Sequence, residues 1–189
     1  MQPWDKIALS KNNKGAFHIA DTLVVYYSRK GENHMPGGIQ ILEKGNTAYA
    51  AEFIAKAVAA DLFEIDTVKP YATNYRECCM EAVAELKSKA RPEIKEYVTD
   101  ISHYDTIFVC FPCWCGTAPM CIFTFLEHYD WTGKKIVPVC TNEGSGLANC
   151  EKDITASCPG ALIAPGLAIK GHQCNSSEEL LASWAREHR

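Results

Sequence analysis

Apolar positions along this chain follow two alternating periods. Leu23-Val24-Val25-Tyr26-Tyr27 is a continuous apolar run, as expected of a strand buried on both faces. Ala50, Phe53, Ile54 and Ala57 then recur at helical spacing. Leu62 to Ile65 reads as a second strand, and Cys79, Ala82, Val83 and Leu86 predict one buried helix face. Ile107 to Phe111 is a third strand and Pro119 to His128 a third helix. Ile136 to Cys140 is a fourth strand, and Asn149 to Cys158 a helix stopped by Pro159-Gly160. A fifth strand falls within Ala161 to Ile169. Ser176 with Glu179 reads as a capping box for a last helix carrying Leu180, Leu181 and Trp184. Five strand–helix units predict a parallel sheet with helices on both faces, joined by right-handed crossovers.

Length and composition narrow the class. The 189 residues suit one domain at residues 21–189, preceded by an extension over residues 1–20 that fits no unit. A hydrophobic content of 47% opposes disorder, and a net charge of -4 gives no electrostatic reason to expect nucleic acid or an anionic membrane as partner. Thr106 to Leu126 carries no charge and is long enough to span a bilayer, but Pro112, Gly116 and Pro119 break it into strand, turn and helix. The ten cysteines do not read as a disulfide framework. The chain is too large to need staples, its first twenty residues lack an apolar secretory stretch, and adjacent Cys78 and Cys79 are poorly placed to bridge each other. The expectation is therefore a cytoplasmic protein with reduced thiols, most of them small buried hydrophobes.

In an open parallel sheet, loops at the carboxyl ends of strands converge on one crevice. Three segments stand there. The first is Ser28-Arg29, resumed as Gly45-Asn46-Thr47-Ala48 at the start of the first helix. Small residues, hydroxyls and helix N-terminal N–H groups suit a phosphate, although Gly-Asn-Thr would also serve as a plain helix cap. The second is Pro112-Cys113-Trp114-Cys115-Gly116, suited to a flat ring. The third is Thr141-Asn142-Glu143-Gly144-Ser145-Gly146, suited to close backbone approach. Between Arg29 and Gly45 lies an inserted loop at about residues 30–44, with Gly37-Gly38 and an apolar Ile39-Gln40-Ile41-Leu42. Connections of that length are often functional lids, so the insertion reads either as a flap in the form of a small hairpin or as surface decoration.

Taken together, Tyr27-Ser28-Arg29, Gly45-Asn46-Thr47, Pro112 through Pro119, and Thr141 through Gly146 resemble the flavodoxin-like family from about Thr22 to the last helix. The resemblance implies a doubly wound α/β fold with sheet order 2-1-3-4-5 and noncovalent FMN at the switch point. It implies that Ser28, Arg29, Asn46, Thr47 and Ala48 hold the phosphate. It places Pro112, Cys113, Trp114, Cys115 and Gly116 along the isoalloxazine, with Trp114 as aromatic contact. Thr141, Gly144, Ser145 and Gly146 would approach the pyrimidine edge. Position 115 is often aromatic in such proteins; Cys115 here leaves a flavin face either less covered or covered by the insertion. The resemblance also suggests a Gly116 peptide flip at flavin N5. Arg29 would favour the reduced ring, and Glu143 would oppose it if aimed there.

Two redox functions remain open: a one-electron carrier between protein partners, and an NAD(P)H-dependent reductase of quinones or other small acceptors. Either would act as a monomer or homodimer. A cofactor-free binding domain is a third reading, disfavoured by the retained loops. A phosphoacceptor domain needs carboxylates where Ser28-Arg29 and Pro112-Cys113 stand, and is rejected. Cys113 and Cys115, without a second pair, are a poor zinc signature, and no metal is expected. The six histidines lack metal spacing, and His172 stands alone.

Overall fold

The computed structural model describes residues 20–189, so the expected extension lies outside the described residues except for Ala20. In chain order the elements are β1 (Thr22–Tyr26), β2 (Gly31–Met35), β3 (Gly38–Leu42), α1 (Asn46–Val58), β4 (Asp61–Glu64), α2 (Tyr75–Ser88), β5 (Thr106–Pro112) and α3 (Met120–Leu126). They continue with β6 (Lys135–Asn142), α4 (Cys150–Ser157), β7 (Leu162–Ile163), β8 (Leu167–Lys170), a 3-10 turn (Gly171–Ser176) and α5 (Glu178–His188). The main sheet is parallel in the order β4-β1-β5-β6, with β7 and β8 both beside β6. Apart from the hairpin β2–β3, this is the expected order 2-1-3-4-5.

Strand alternation builds the two layers. Leu23, Val25, Ile107, Val109, Phe111, Ile136 and Cys140 face a core closed by α3 and α4. Val24, Tyr26, Phe108, Cys110, Val137 and Val139 face the opposite core, closed by α1 and α5. Both faces are covered, which is why these strands read as unbroken apolar runs. The uncharged Thr106 to Leu126 segment is indeed strand, turn and helix, and among the described residues no helix is long and apolar enough to cross a membrane.

Three local expectations are corrected. The fifth strand is split, because Pro165 has no N–H and the Gly166 N–H donates to Glu151 Oε1 (2.7 Å) instead of to β6. Helix α2 buries Cys78 and Ala82, whereas Val83 and Leu86 are exposed. It packs on the hairpin and on α3 rather than flat on the sheet, so its inward face is rotated. The box of Ser176 and Glu179 does not form. Ser177 is the N-cap residue, and the Ser176 and Ser177 hydroxyls both donate to the Gln173 carbonyl (3.1 and 2.8 Å).

Trp131 shows how the α3 layer is pinned. It is fully buried, and its Nε1 donates to the Leu126 carbonyl (2.6 Å) at the end of α3. Trp131→Phe keeps most of the apolar volume but leaves that carbonyl unpartnered. Stability should fall by about 1–3 kcal/mol in urea denaturation; an unchanged midpoint would mean that the bond contributes nothing net.

Candidate functional site

The loops after β1, β5 and β6 open onto one cleft with a cavity volume of about 200 Å³. Its lining combines Arg29, Asn46 and Thr47, then Pro112 to Cys115, then Thr141 to Glu143. These stretches lie far apart in sequence. The sheet joins them, since Pro112 pairs with Thr141 at the ends of β5 and β6.

At the first loop, Gly45 is the N-cap of α1 with extended backbone (φ -69°) and no cap bond of its own. The cap comes from the segment after β1 instead: Ser28 Oγ accepts from the Ala48 N–H (3.0 Å). A Cβ on Gly45 would overlap Ser28 Oγ and the Arg29 carbonyl, so glycine is required here for close approach rather than for φ. Asn46 and Thr47, in the first turn, have N–H groups with no acceptor inside the helix. Thr47 Oγ1 lies 2.7 Å from Thr141 Oγ1, and both residues are buried. One hydroxyl donates to the other, so the accepting hydroxyl keeps its own proton for a ligand oxygen. This corner suits an anion.

Ser28 and Ala48 act behind the cleft, through the cap bond, and do not line it. Arg29 lines the cleft, but its guanidinium is engaged elsewhere. Nε donates to the Glu32 carbonyl (3.0 Å), Nη1 to Ala72 (2.8 Å) and Nη2 to Thr73 (2.9 Å). Arg29, expected at the phosphate, thus also clamps the hairpin and the loop before α2 against the end of β1.

The second loop is a tight reversal. Trp114 and Thr117 exchange backbone hydrogen bonds (2.8 and 3.0 Å), and the two residues between them, Cys115 and Gly116, both have positive φ (52° and 81°). That is the signature of a type I′ turn. Trp114 stands edge-on to Tyr27 and Tyr71, at ring-centroid distances of 5.4 and 4.9 Å. This aromatic group fixes its orientation at the cleft. Gly116 does not line the cleft, and its carbonyl accepts from the Asn149 N–H (2.9 Å), a bond that a flip of the Gly116–Thr117 peptide would break.

The third loop differs from its expectation. Thr141, Asn142 and Glu143 line the cleft; Gly144, Ser145 and Gly146 do not. The Gly144 and Gly146 N–H groups both donate to Asn142 Oδ1 (2.9 and 3.0 Å), so they are turned into the loop. Glu143 accepts from the His172 backbone N–H (2.9 Å) and lies 2.7 Å from His172 Nδ1. His172, given no role by the sequence, thus positions the carboxylate at the cleft edge.

The insertion is the antiparallel hairpin β2–β3, turned by Pro36-Gly37. It contributes Asn33 and His34 to the cleft wall, beside Tyr75 of α2, and α2 adds Cys78 and Cys79. Glu32 ties the two walls together, accepting from the Tyr75 N–H (2.7 Å) and Asn74 Nδ2 (3.0 Å). Sequence reasoning missed these wall residues. A usable signal existed for α2, whose start also follows the carboxyl end of a strand beside β1.

All ten cysteines are free thiols. Cys113 is not grouped with Cys115 but with Cys140 and Cys150, all three Sγ atoms lying within 4.8 Å of one another. Hydrogen-bonding contact with Cys140 and Cys150, helped by Ser145 and the Gly116 backbone, holds the Cys113 thiol well below the usual thiol range despite burial. The same contacts push Cys140 and Cys150 up.

Similar proteins accord with this architecture. A candidate flavoprotein of Bacteroides uniformis is 30% identical, with a TM-score of 0.72, over 88% of this chain and 98% of its own. A second, from Bacteroides eggerthii, is 27% identical, with a TM-score of 0.70, over 88% of this chain and 96% of its own. A flavoprotein of Lactobacillus acidophilus, solved in complex with FMN, is 20% identical, with a TM-score of 0.62, over 84% of this chain and 98% of its own. No curated protein matches the chain. The flavodoxin family model matches residues 41–188. With the sheet order, the switch-point cleft and this match in agreement, the chain belongs to the flavodoxin family.

Proposed function

We propose that the chain binds FMN noncovalently in the cleft and transfers electrons through it. The observation that carries this reading is the meeting of an anion-suited helix N-terminus, at Asn46 and Thr47, with a slot bordered by Pro112, Cys113 and Trp114. The FMN held by the Lactobacillus relative supports it. Asn46 and Thr47 would receive the phosphate, with the Thr47–Thr141 hydroxyl pair offering a proton donor. Pro112 to Trp114 would border the ring, and the hairpin and Tyr75 would close the opposite side and exclude water. When bound, FMN supplies the redox chemistry, and the protein supplies binding and electrostatics.

The visible absorption spectrum of the purified protein, before and after FMN addition and desalting, tests the proposal. A retained flavin band released on denaturation is expected, and a colourless protein would overturn it. One observation favours a second reading, an NAD(P)H-dependent reductase: the hairpin adds Asn33 and His34 to the cleft wall, beyond what the three loops need for FMN. Steady-state NAD(P)H oxidation with a quinone separates the two, since a one-electron carrier for protein partners shows no such turnover.

A further inference from the structure

Behind Cys113, which borders the cleft, stand two further thiols that flavin binding does not use. Cys113 comes from the loop after β5, Cys140 from β6 and Cys150 from the first turn of α4. Their Sγ atoms lie within 4.8 Å of one another, and among the described residues no other three potential metal-ligating side chains are so gathered. Cys140 and Cys150 are fully buried, whereas Cys113 is half-buried and lines the cleft. The cluster thus has a dry back and a single wet side. An odd number of thiols cannot all be consumed in disulfides among themselves.

Cys150 stands in the first turn of α4, at the positive end of the helix. Three sulfur donors with no carboxylate among them select soft ions over Mg²⁺ or Ca²⁺. Zinc–thiolate bonds of about 2.3 Å place tetrahedral sulfurs about 3.8 Å apart, so a small contraction would bring all three onto one ion.

We propose that Cys113, Cys140 and Cys150 form a three-thiolate site for a soft, thiophilic cation such as Zn²⁺, entered from the cleft. Three sulfur–metal bonds form, the protons still on the thiols leave to solvent, and no electron moves. A bound ion ties the ring-bordering loop to β6 and α4. Spacing along the chain cannot reveal this site, because its ligands come from three separate elements. The site shares Cys113 with the border of the flavin slot, but ion binding does not require a flavin to be bound.

The test uses the full-length reduced protein. Zn²⁺ is competed against a chromophoric chelator, and Co²⁺ reports thiolate ligation through its charge-transfer bands. One equivalent per chain is expected. Cys150→Ala and Cys113→Ser should each weaken binding by about 100-fold or more. Cys174→Ala, on the opposite face of the sheet, should bind as the parent does, and circular dichroism checks that each variant is folded. Should Cys150→Ala fail to fold, the half-buried position of Cys113→Ser still decides. The site is overturned if the parent takes up no ion at micromolar Zn²⁺, if the folded variants bind like the parent, or if Cys174→Ala loses the ion equally. Flavin absorbance on the same samples is read separately: a colourless protein that takes up zinc defeats the FMN reading and leaves the metal site standing.

Discussion

Gly45→Ala should lower FMN affinity by about 100-fold while the sheet stays folded. The added Cβ meets Ser28 Oγ and the Arg29 main chain, not the end of a flexible side chain. Neither can yield easily. Ser28 is held by the Ala48 N–H, and β1 is buried and paired on both edges. The first turn of α1 must therefore move, carrying Asn46 and Thr47 away from Thr141. Overpacking at such a contact costs about 1–3 kcal/mol. A loss near the upper end, falling on the bound state, corresponds to the stated affinity change. FMN titration by fluorescence quenching measures it, and thermal denaturation of the apoprotein separates a displaced anion corner from general destabilisation. Unchanged affinity would place the phosphate elsewhere.

Arg29→Ala should cost about 3–4 kcal/mol of stability, with little recovery in Arg29→Lys. The residue is 7% exposed and bonds three main-chain carbonyls, on the hairpin and on the loop before α2. Hydrogen bonds to a charged donor contribute about 1.5–3 kcal/mol each, and three on one group do not sum fully. Lysine offers one point charge where the carbonyls need a planar fork. Chemical denaturation measures the loss. Amide exchange should show the hairpin amides of β2 deprotected first, because Arg29 ties that element to β1. Full rescue by lysine would show that charge alone, not the fork, secures the clamp.

These two positions show what kind of information a sequence carries. Gly45 stood in a recognisable motif at a helix start, although the close approach to Ser28 and Arg29 that demands glycine there is a tertiary cause. Arg29 stood in the same motif, but its charge suggested a ligand. The carbonyls that claim it belong to Ala72 and Thr73, brought in by a strand and a loop that no local pattern connects to position 29. Glu143 followed the same course, its carboxylate engaged by His172 from the last crossover. The α2 face was misjudged because periodicity marks an apolar side without saying what lies against it.

The residue pattern carried the strands, the central helices, the parallel character of the sheet and the segments at the carboxyl ends of β1, β5 and β6, whereas the strand order came from the resemblance to the flavodoxin-like family. The patterned features follow from continuous apolar runs, from helical apolar spacing and from turn-forming residues, all properties of short stretches of chain. Tertiary structure alone decided which groups meet: the Thr47–Thr141 hydroxyl pair, the hairpin wall with Asn33 and His34, the inward turn of Gly144 and Gly146, and the gathering of Cys113 with Cys140 and Cys150. Each depends on the lateral placing of one strand end beside another, where a shift of one residue sends side chains to the opposite face. That placing is set by packing across the whole sheet and leaves no mark in any one segment.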